Sequence, residues 1–560
     1  MNNKRFKDPI YGYIEINGKL INQVIDTASF QRLRDIIQTS YSPLYTSSLH
    51  NRFTHSIGVY HLGKIAAQAF THSCISENIS PYTKIKKYIE VFELACLLHD
   101  VGHAPFSHTG EDFYFDGTKH AAFHKQIIEL TGDSLLKEEI IKNSYKAAAH
   151  ELMSVIVGLK TFGGLIKKDK RSFFARCITG YKYTEELTDE KQLLNCLIEL
   201  LNSTMIDVDK LDYLIRDAYM TGFDTTKLDY VRLLESIRIT KYQEEYKVCY
   251  YKTALSVIEN VVYARDSERK WIQNHPTVLY EIYLLQNIMT QITTTYMKQS
   301  NIGYDYLTEK GKLIKDLGIV RLLSDSDILY LMKNLPNEEF VKEYFNRKLR
   351  KHPLWKTEAE YQAVFTGREG KAEIIEREFV DLKKELSGLG YSNVIKDKAL
   401  DACRQDAVHI EAEISKLKKE TPDSGRDNIK EKLQRLEMSL TKRKYQIKIM
   451  EVLEDFARRE DIDFEFIIIS EKQFNSGFGK PEFSKISMIF PELNVPCEFG
   501  TVSNSLKASE SVGENFFYLY CNRKEPEKEL HISKLIKDLV KIAYDIERDR
   551  EEQLVDAQVK

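Results

Sequence analysis

The chain has 560 residues, enough for a large core and for roughly two to four domains, and its 81 Lys and Arg against 84 Asp and Glu leave a formal charge of −3. That balance excludes a global basic field for capturing nucleic acid and leaves only a local basic pocket open. The N-terminal MNNKRFKDPIYGYIEI has no apolar core of signal-peptide length, and no later run reaches the roughly 18 apolar residues that span a bilayer, so a cytoplasmic protein with no membrane partner is expected.

In chain order, YGYIEI alternates like a strand, whereas HSIGVYHLGKIAAQAF, YIEVFELACLLHD and LIELLNSTMIDVDKLDYLIRDAYM repeat their apolar positions at helical spacing. IRITKYQEEYKVCYY reads as a β-hairpin. From about 330 to 460 the sequence is densely charged. DACRQDAVHIEAEISKLKKE and NIKEKLQRLEMSLTKRKYQIKIMEVLEDF predict two helices separated by TPDSGRD, a strong stop signal. Ile410, Ile414 and Leu417 on one and Ile429, Leu433, Leu436 and Leu440 on the other predict an antiparallel hairpin with a narrow apolar seam, either packed at the surface or making an oligomer contact. After 460, DFEFIIIS, KISMIFP and NFFYLYCNR are short β-rich runs, followed by a helix near ISKLIKDLVKIAYDIERD. The expected fold is mainly α: a helical core with small β hairpins over 1–325, a charged helical region over 326–460 with its hairpin at 400–456, and a small α/β lobe over 461–560. The eight cysteines are scattered and form no CxxC pair, which excludes a zinc ribbon and argues against a disulfide framework; Cys96, inside LACLL, reads as a small buried hydrophobe.

The adjacent pair His99-Asp100 is expected about once by chance in such a chain. Its position, at the end of VFELACLLHD and before VGHAPFSH, lets both side chains project into one cavity, and imidazole with carboxylate suits Mn, Fe, Zn or a similar divalent ion. Upstream, Arg52 and His55 in HNRFTHSIG lie three residues apart at the opening of a helix. Downstream, Val208, Leu211, Ile215 and Ala218 make an apolar stripe, with Asp209, Tyr213 and Asp217 at i, i+4, i+8 and Lys210 beside them. That polar row is costly to bury without a ligand; taken alone, it reads as a solvated helix face.

HNRFTHSIGVYHLG, LLHDVGHAPFSH and DVDKLDYLIRD, in that order, resemble the successive motifs of the HD-domain deoxynucleoside triphosphohydrolases, of the sterile-alpha-motif/HD-domain type and its bacterial relatives. KDPIYGYIEINGKLINQVIDTASFQRLRDIIQTS is similar to that family's N-terminal segment, YARDSERKWIQNHPTVLYEI to its helix beyond the metal site, and NFFYLYCNRKEPEKELHISK, more loosely, to its last strands. The resemblance implies an HD core whose metal (Mn, Mg, Fe or Zn) is held by His55, His99, Asp100 and Asp209. It places His103 and His108 beside the scissile phosphate and matches His150-Glu151 to a later pair in which the carboxylate orients the imidazole, although His120 or His124 could take the place of His150. Arg52 and Lys210 would hold phosphate oxygens, and Gln38, Tyr213 and Asp217 would line the deoxyribose.

The implied reaction is attack of metal-activated water at the α-phosphorus, releasing deoxynucleoside and triphosphate. The family's nucleotide-activator pocket falls on Asp26, Gln31 and Arg34, which read equally as ordinary helix surface. A homo-oligomer, dimer or tetramer, is the matching expectation, with nucleotide-pool control or antiviral (phage) defense as the setting. The chain departs from the family pattern at Thr39, where Leu commonly follows Gln against the sugar, and at Thr277, where a phosphate-binding Arg is usual. Those departures keep two alternatives in view: an HD phosphohydrolase acting on another nucleotide or a single-stranded nucleic-acid end, and a catalytically silent nucleotide sensor.

Overall fold

The computed structural model describes residues 3–113, 119–142, 147–223, 227–296, 323–335, 339–388, 394–419, 426–472, 481–493, 495–503, 515–523 and 529–559. The Pro-Asp-Ser-Gly break and the side chain of His120 lie outside them. The chain divides into two compact units: Met1–Gln273, Glu281–Val341 and Asn475–Glu510 form the first, and Asn274–Tyr280, Lys342–Phe474 and Ser511–Lys560 the second.

The first unit begins with the hairpin β1 (Lys4–Asp8) and β2 (Gly12–Ile16), paired Phe6 to Ile14. Its helices include α1 (Arg52–Ser76), α2 (Ile89–Leu98), α3 (Ala149–Phe162), α4 (Arg171–Thr179), α5 (Asp189–Leu201) and α6 (Val208–Thr221). The hairpin β3 (Ile237–Tyr242) and β4 (Glu245–Tyr251) follows, then α7 (Leu255–Ser267) and, further on, α8 (Asp325–Lys333). Asn51 caps α1 by accepting from the Thr54 amide at 3.1 Å. Most of that helix is buried, its polar Arg52, His55, Ser56 and Ser73 included, and it forms the central rod against which α2 and α6 pack. At Gly58 a Cβ would fall 1.9 Å from Asp212 Oδ1, so only glycine lets α6 cross α1 this closely. Asp207 caps α6 by accepting from the Lys210 amide at 2.7 Å, and Gly222, at φ +70°, ends it.

Farther along run β5 (His352–Pro353), α9 (Glu369–Gly388), β6 (Val394–Lys396), α10 (Asp397–Lys419), α11 (Arg426–Glu460), β7 (Glu465–Lys472), β8 (Ser487–Ile489), β9 (Cys497–Glu498), β10 (Asn515–Cys521) and α12 (Ile532–Val559). The β-rich runs after 460 do not share one sheet. β8 pairs parallel to β4, with Tyr250 opposite Met488, and β9 pairs with β8, extending the β3–β4 hairpin of the first unit. The second unit's sheet has the order β5-β10-β7-β6, all antiparallel, with Tyr518 opposite Ile469. Inside that unit, α9 packs on β10 and α12, and α10 packs on α11. Ile414 is buried in the seam, and Leu433, Leu436 and Leu440 are half-buried.

Candidate metal centre and active site

The residues matched to metal ligands converge within the first unit. His55 comes from the first turn of α1, His99 and Asp100 follow α2, and Asp209 sits in the first turn of α6. His55 Nε2 lies 3.2 Å from His99 Nε2, 3.0 Å from Asp209 Oδ1 and 3.5 Å from Asp100 Oδ2. His99 Nε2 is 3.5 Å from both Asp100 Oδ1 and Asp209 Oδ1. The other ring nitrogens are engaged: His99 Nδ1 donates to the Cys96 carbonyl at 2.9 Å, and His55 Nδ1 to Asp212 Oδ2 at 2.7 Å.

Both Nε2 lone pairs therefore point at one another and at carboxylate oxygens, which repels unless a proton or a cation lies between them. Burial opposes a charge on His55, but its hydrogen bonds to Asp209 and Asp212 raise the ring to about 9. Against the same burial, Arg52 holds the Asp100 carboxyl well below the usual range, and the two imidazoles do so for Asp209. Two imidazoles and two carboxylates fit a divalent ion, and the Asp209 side chain, 35% exposed, marks the open side of the site.

Asp212 is missing from the sequence-derived set. It is fully buried and takes a bidentate contact from Arg216, at 2.9 Å from Nε and 3.0 Å from Nη2, and a 2.8 Å bond from the Tyr11 hydroxyl. Arg216 Nη1 also reaches Asp8 at 3.0 Å. Of the polar row on α6 that reads as a solvated face, Asp217 is buried and Asp209, Lys210 and Tyr213 are half-buried; Asp212 and Arg216 lie inside, whereas Ile215 and Ala218 of the expected stripe are only half-buried. The i, i+4 pair Asp212-Arg216 was the signal available in the sequence. A carboxylate on the far nitrogen of a ligating histidine fixes its tautomer and raises its basicity. Asp212→Asn is expected to weaken metal affinity by about 10- to 100-fold in a chelator competition; unchanged affinity would remove Asp212 from the metal centre.

Next to the quartet is a cluster of imidazoles, with donor atoms of His103, His108, Glu111 and His150 all within 4.8 Å of one another. Glu111 binds His108 Nδ1 at 2.5 Å and His150 Nδ1 at 2.8 Å. His103 stacks on His150 with ring centroids 4.3 Å apart, stands 3.6 Å from Asp100 Oδ1, and has no hydrogen-bond partner on either nitrogen among the described residues. Burial, and then Arg52 and the neighbouring imidazoles, keep His103 neutral, while Glu111 overcomes burial to raise His150 to about 9. Glu151, expected on the His150 ring, accepts from the Ala148 amide at 2.6 Å and from Asn202 Nδ2 at 2.7 Å; the carboxylate on the ring is Glu111, which sequence reasoning missed. His124 pairs with the Tyr181 hydroxyl at 2.9 Å.

Arg52 is buried, donating to Asp100 Oδ2 at 2.7 Å, Ser107 Oγ at 2.9 Å and the Gln38 carbonyl at 3.4 Å. Gln38 is buried with its Oε1 unpartnered. Asp217 meets His50 Nε2 at 2.6 Å, and Tyr213 is half-buried. Lys210 is turned back onto Asp207 at 2.5 Å and the Ser203 carbonyl at 2.7 Å. Gln31 donates to the Ile25 carbonyl at 2.7 Å and accepts from Arg34 Nε at 2.8 Å, whereas Asp26 pairs with Lys4 at 3.2 Å.

A third residue missed in the sequence is Asp325, at the start of α8. Its Oδ1 accepts from the Phe106 amide at 2.6 Å and its Oδ2 from the Ile37 amide at 2.8 Å. Phe106 and Ser107 adopt left-handed backbone, φ +57° and +54°, immediately before His108, so Asp325 ties a strained loop to the segment carrying Gln38. Burial pushes the Asp325 carboxyl up to about 7, against the two amide bonds. A carboxyl raised above its unfolded value of about 4 adds stability that is full below that pH and is lost as pH rises through 7. Asp325→Asn is expected to flatten the stability curve between about pH 4 and 7 in chemical denaturation; a curve parallel to that of the wild type would exclude Asp325 as the source.

Residues 52–195 match the HD domain family, a span that holds His55, His99 and Asp100 and stops short of Asp209. The chain is 31% identical over 265 residues to the uncharacterized protein MG461 of Mycoplasma genitalium, covering 46% of this chain and 53% of that one. It is 26% identical over 377 residues to the deoxynucleoside triphosphate triphosphohydrolase SAMHD1 of Gallus gallus, covering 64% and 56%. The chain thus spans little more than half the length of these relatives. The crystal structure of the phosphohydrolase BT4208 from Bacteroides thetaiotaomicron shares its fold, with a TM-score of 0.53 and 16% identity over 93% of this chain and 100% of that one.

Proposed function

We propose that this HD-domain chain is a metal-dependent phosphohydrolase that cleaves deoxynucleoside triphosphates to deoxynucleoside and triphosphate. The observation that carries it is the convergence of His55, His99, Asp100 and Asp209, with the imidazole cluster of His103, His108 and His150 against Asp100. When bound, a divalent ion lowers the pKa of a water toward neutrality and offsets charge on phosphate oxygens. The protein's own residues do the rest. Arg52, anchored on Asp100 and Ser107, presents a fixed cation to the phosphates, and Lys210 joins it on leaving Asp207. His108, 67% exposed and hydrogen-bonded to Glu111, donates a proton to the departing 5'-oxygen as the bond from the α-phosphorus to that oxygen breaks and a water oxygen takes its place. His103, neutral and unpartnered, offers a donor to a phosphate oxygen, and His150 holds positive charge beside it. Gln38, Tyr213 and Asp217 line the sugar. The likeness to a triphosphohydrolase over more than half of the chain supports the substrate class.

The test is a screen of each dNTP with Mn or Mg, with and without GTP or a second dNTP, beside a His108→Asn variant. Deoxynucleoside and triphosphate are expected, with activation by nucleotide binding near Asp26, Gln31 and Arg34 and with assembly to a dimer or tetramer by light scattering. No turnover under any condition overturns the proposal. The hold of Asp207 on Lys210 favours one second reading, a substrate with fewer phosphates, for which mass spectrometry would find monophosphate or orthophosphate cleavage instead.

A further inference from the structure

Glu268 is a buried acid that the proposed chemistry leaves unused. It opens the π-helical turn Glu268–Gln273 after α7 and is 5% exposed. Its Oε1 accepts from Gln273 Nε2 at 2.9 Å and lies 3.5 Å from the Tyr41 hydroxyl. Its Oε2 is buried and faces no donor among the described residues; the neighbouring group is the carboxyl of Asp217, with which Glu268 shares a side-chain hydrogen bond and which His50 Nε2 holds at 2.6 Å. Burial, and then the charge of Asp217, keep the Glu268 carboxyl well above the usual range, so Glu268 is the member of the pair that holds a proton. Further buried atoms without a partner among the described residues lie on His50, on the segment bonded to it and on the turn before Glu268. His50 Nδ1 is buried without a partner, and so are Gln38 Oε1 and Thr39 Oγ1 on the segment whose Gln38 amide donates to the His50 carbonyl at 2.9 Å. Arg265 Nη1, on the turn before Glu268, is unpartnered as well. Buried polar atoms are ordinarily paired, and a wall with this many bare donors and acceptors suits a ligand that brings several hydroxyls.

We propose that Glu268 and Asp217 act as a paired carboxyl clamp on both hydroxyls of a ribose, so that the site takes ribonucleoside triphosphates as well as their deoxy counterparts. A vicinal diol offers two donors and two acceptors. Asp217 accepts, and Glu268, carrying a proton, both donates and accepts; a deoxyribose has one hydroxyl for Asp217 and leaves Glu268 to Asp217, Gln273 and Tyr41 alone. The inference rests on the reading that the nucleotide sugar lies against Asp217.

The experiment compares ATP with dATP and GTP with dGTP on the metal-loaded full chain, in wild type, Glu268→Leu and Glu268→Gln. The wild-type ratio of kcat/KM for ribo over deoxy substrates is expected within about tenfold of unity. Glu268→Leu should lower that ratio by about tenfold or more, and Glu268→Gln, which keeps a donor and an acceptor, should restore most of it. Rejection of ribonucleotides by the wild type, or a leucine variant that leaves the ratio unmoved, overturns the clamp. If neither sugar class is hydrolysed, the phosphohydrolase reading fails by itself. Calorimetric binding of ATP against dATP then decides the clamp, and absence of binding by both overturns it too.

Discussion

Asp209→Ala is expected to empty the metal centre and to lower turnover by about 1000-fold or more. Asp209 is the candidate ligand that arrives from α6, and its Oδ1 stands close to the Nε2 atoms of both imidazoles, at 3.0 Å from His55 and 3.5 Å from His99. Without it, two nitrogens and Asp100 remain, and Asp100 is already drawn toward Arg52 at 2.7 Å. The substitution lies in the first turn of a helix whose cap, Asp207, stays in place, so circular dichroism should be unchanged. Elemental analysis after desalting and initial rates at saturating Mn measure the effect. A variant that retains stoichiometric metal and more than about a tenth of the activity would remove Asp209 from the ligand set.

Arg216→Met is expected to be the most damaging change to the fold, at about 3–5 kcal/mol. Arg216 is 2% exposed and neutralises Asp212, at 0%, and Asp8, at 6%, so its loss strands two carboxylates that water cannot reach. Arg216→Lys keeps the charge but gives up the fork that spans both oxygens of Asp212, and should lose less. The first unfolding transition in guanidinium measures both. A methionine variant as stable as the wild type would mean that the buried charges are not held by Arg216. Because Asp212 also orients His55, the same variant should lose metal affinity before it unfolds.

His55, His99, Asp100 and Asp209 were legible because each stands in a short motif that, in order, resembles those of a known family, and the alternation of YGYIEI announced strand β2 and that of IRITKYQEEYKVCYY the β3–β4 hairpin. The residues that tune these groups were not. Asp212 reaches His55 across 157 positions, Asp325 reaches Phe106 across 219, and Glu111 joins His108 to His150 from a position that reads as loop.

Local periodicity and capping determine where helices begin, which residues they carry and what chemistry those residues offer, since backbone hydrogen bonds and side-chain spacing act within a few residues. Which face of α6 turns inward, which carboxylate meets each imidazole, and which strand β8 joins were decided only when distant segments packed. A buried charge is tolerated only where its partner arrives, and here that partner comes from another part of the chain.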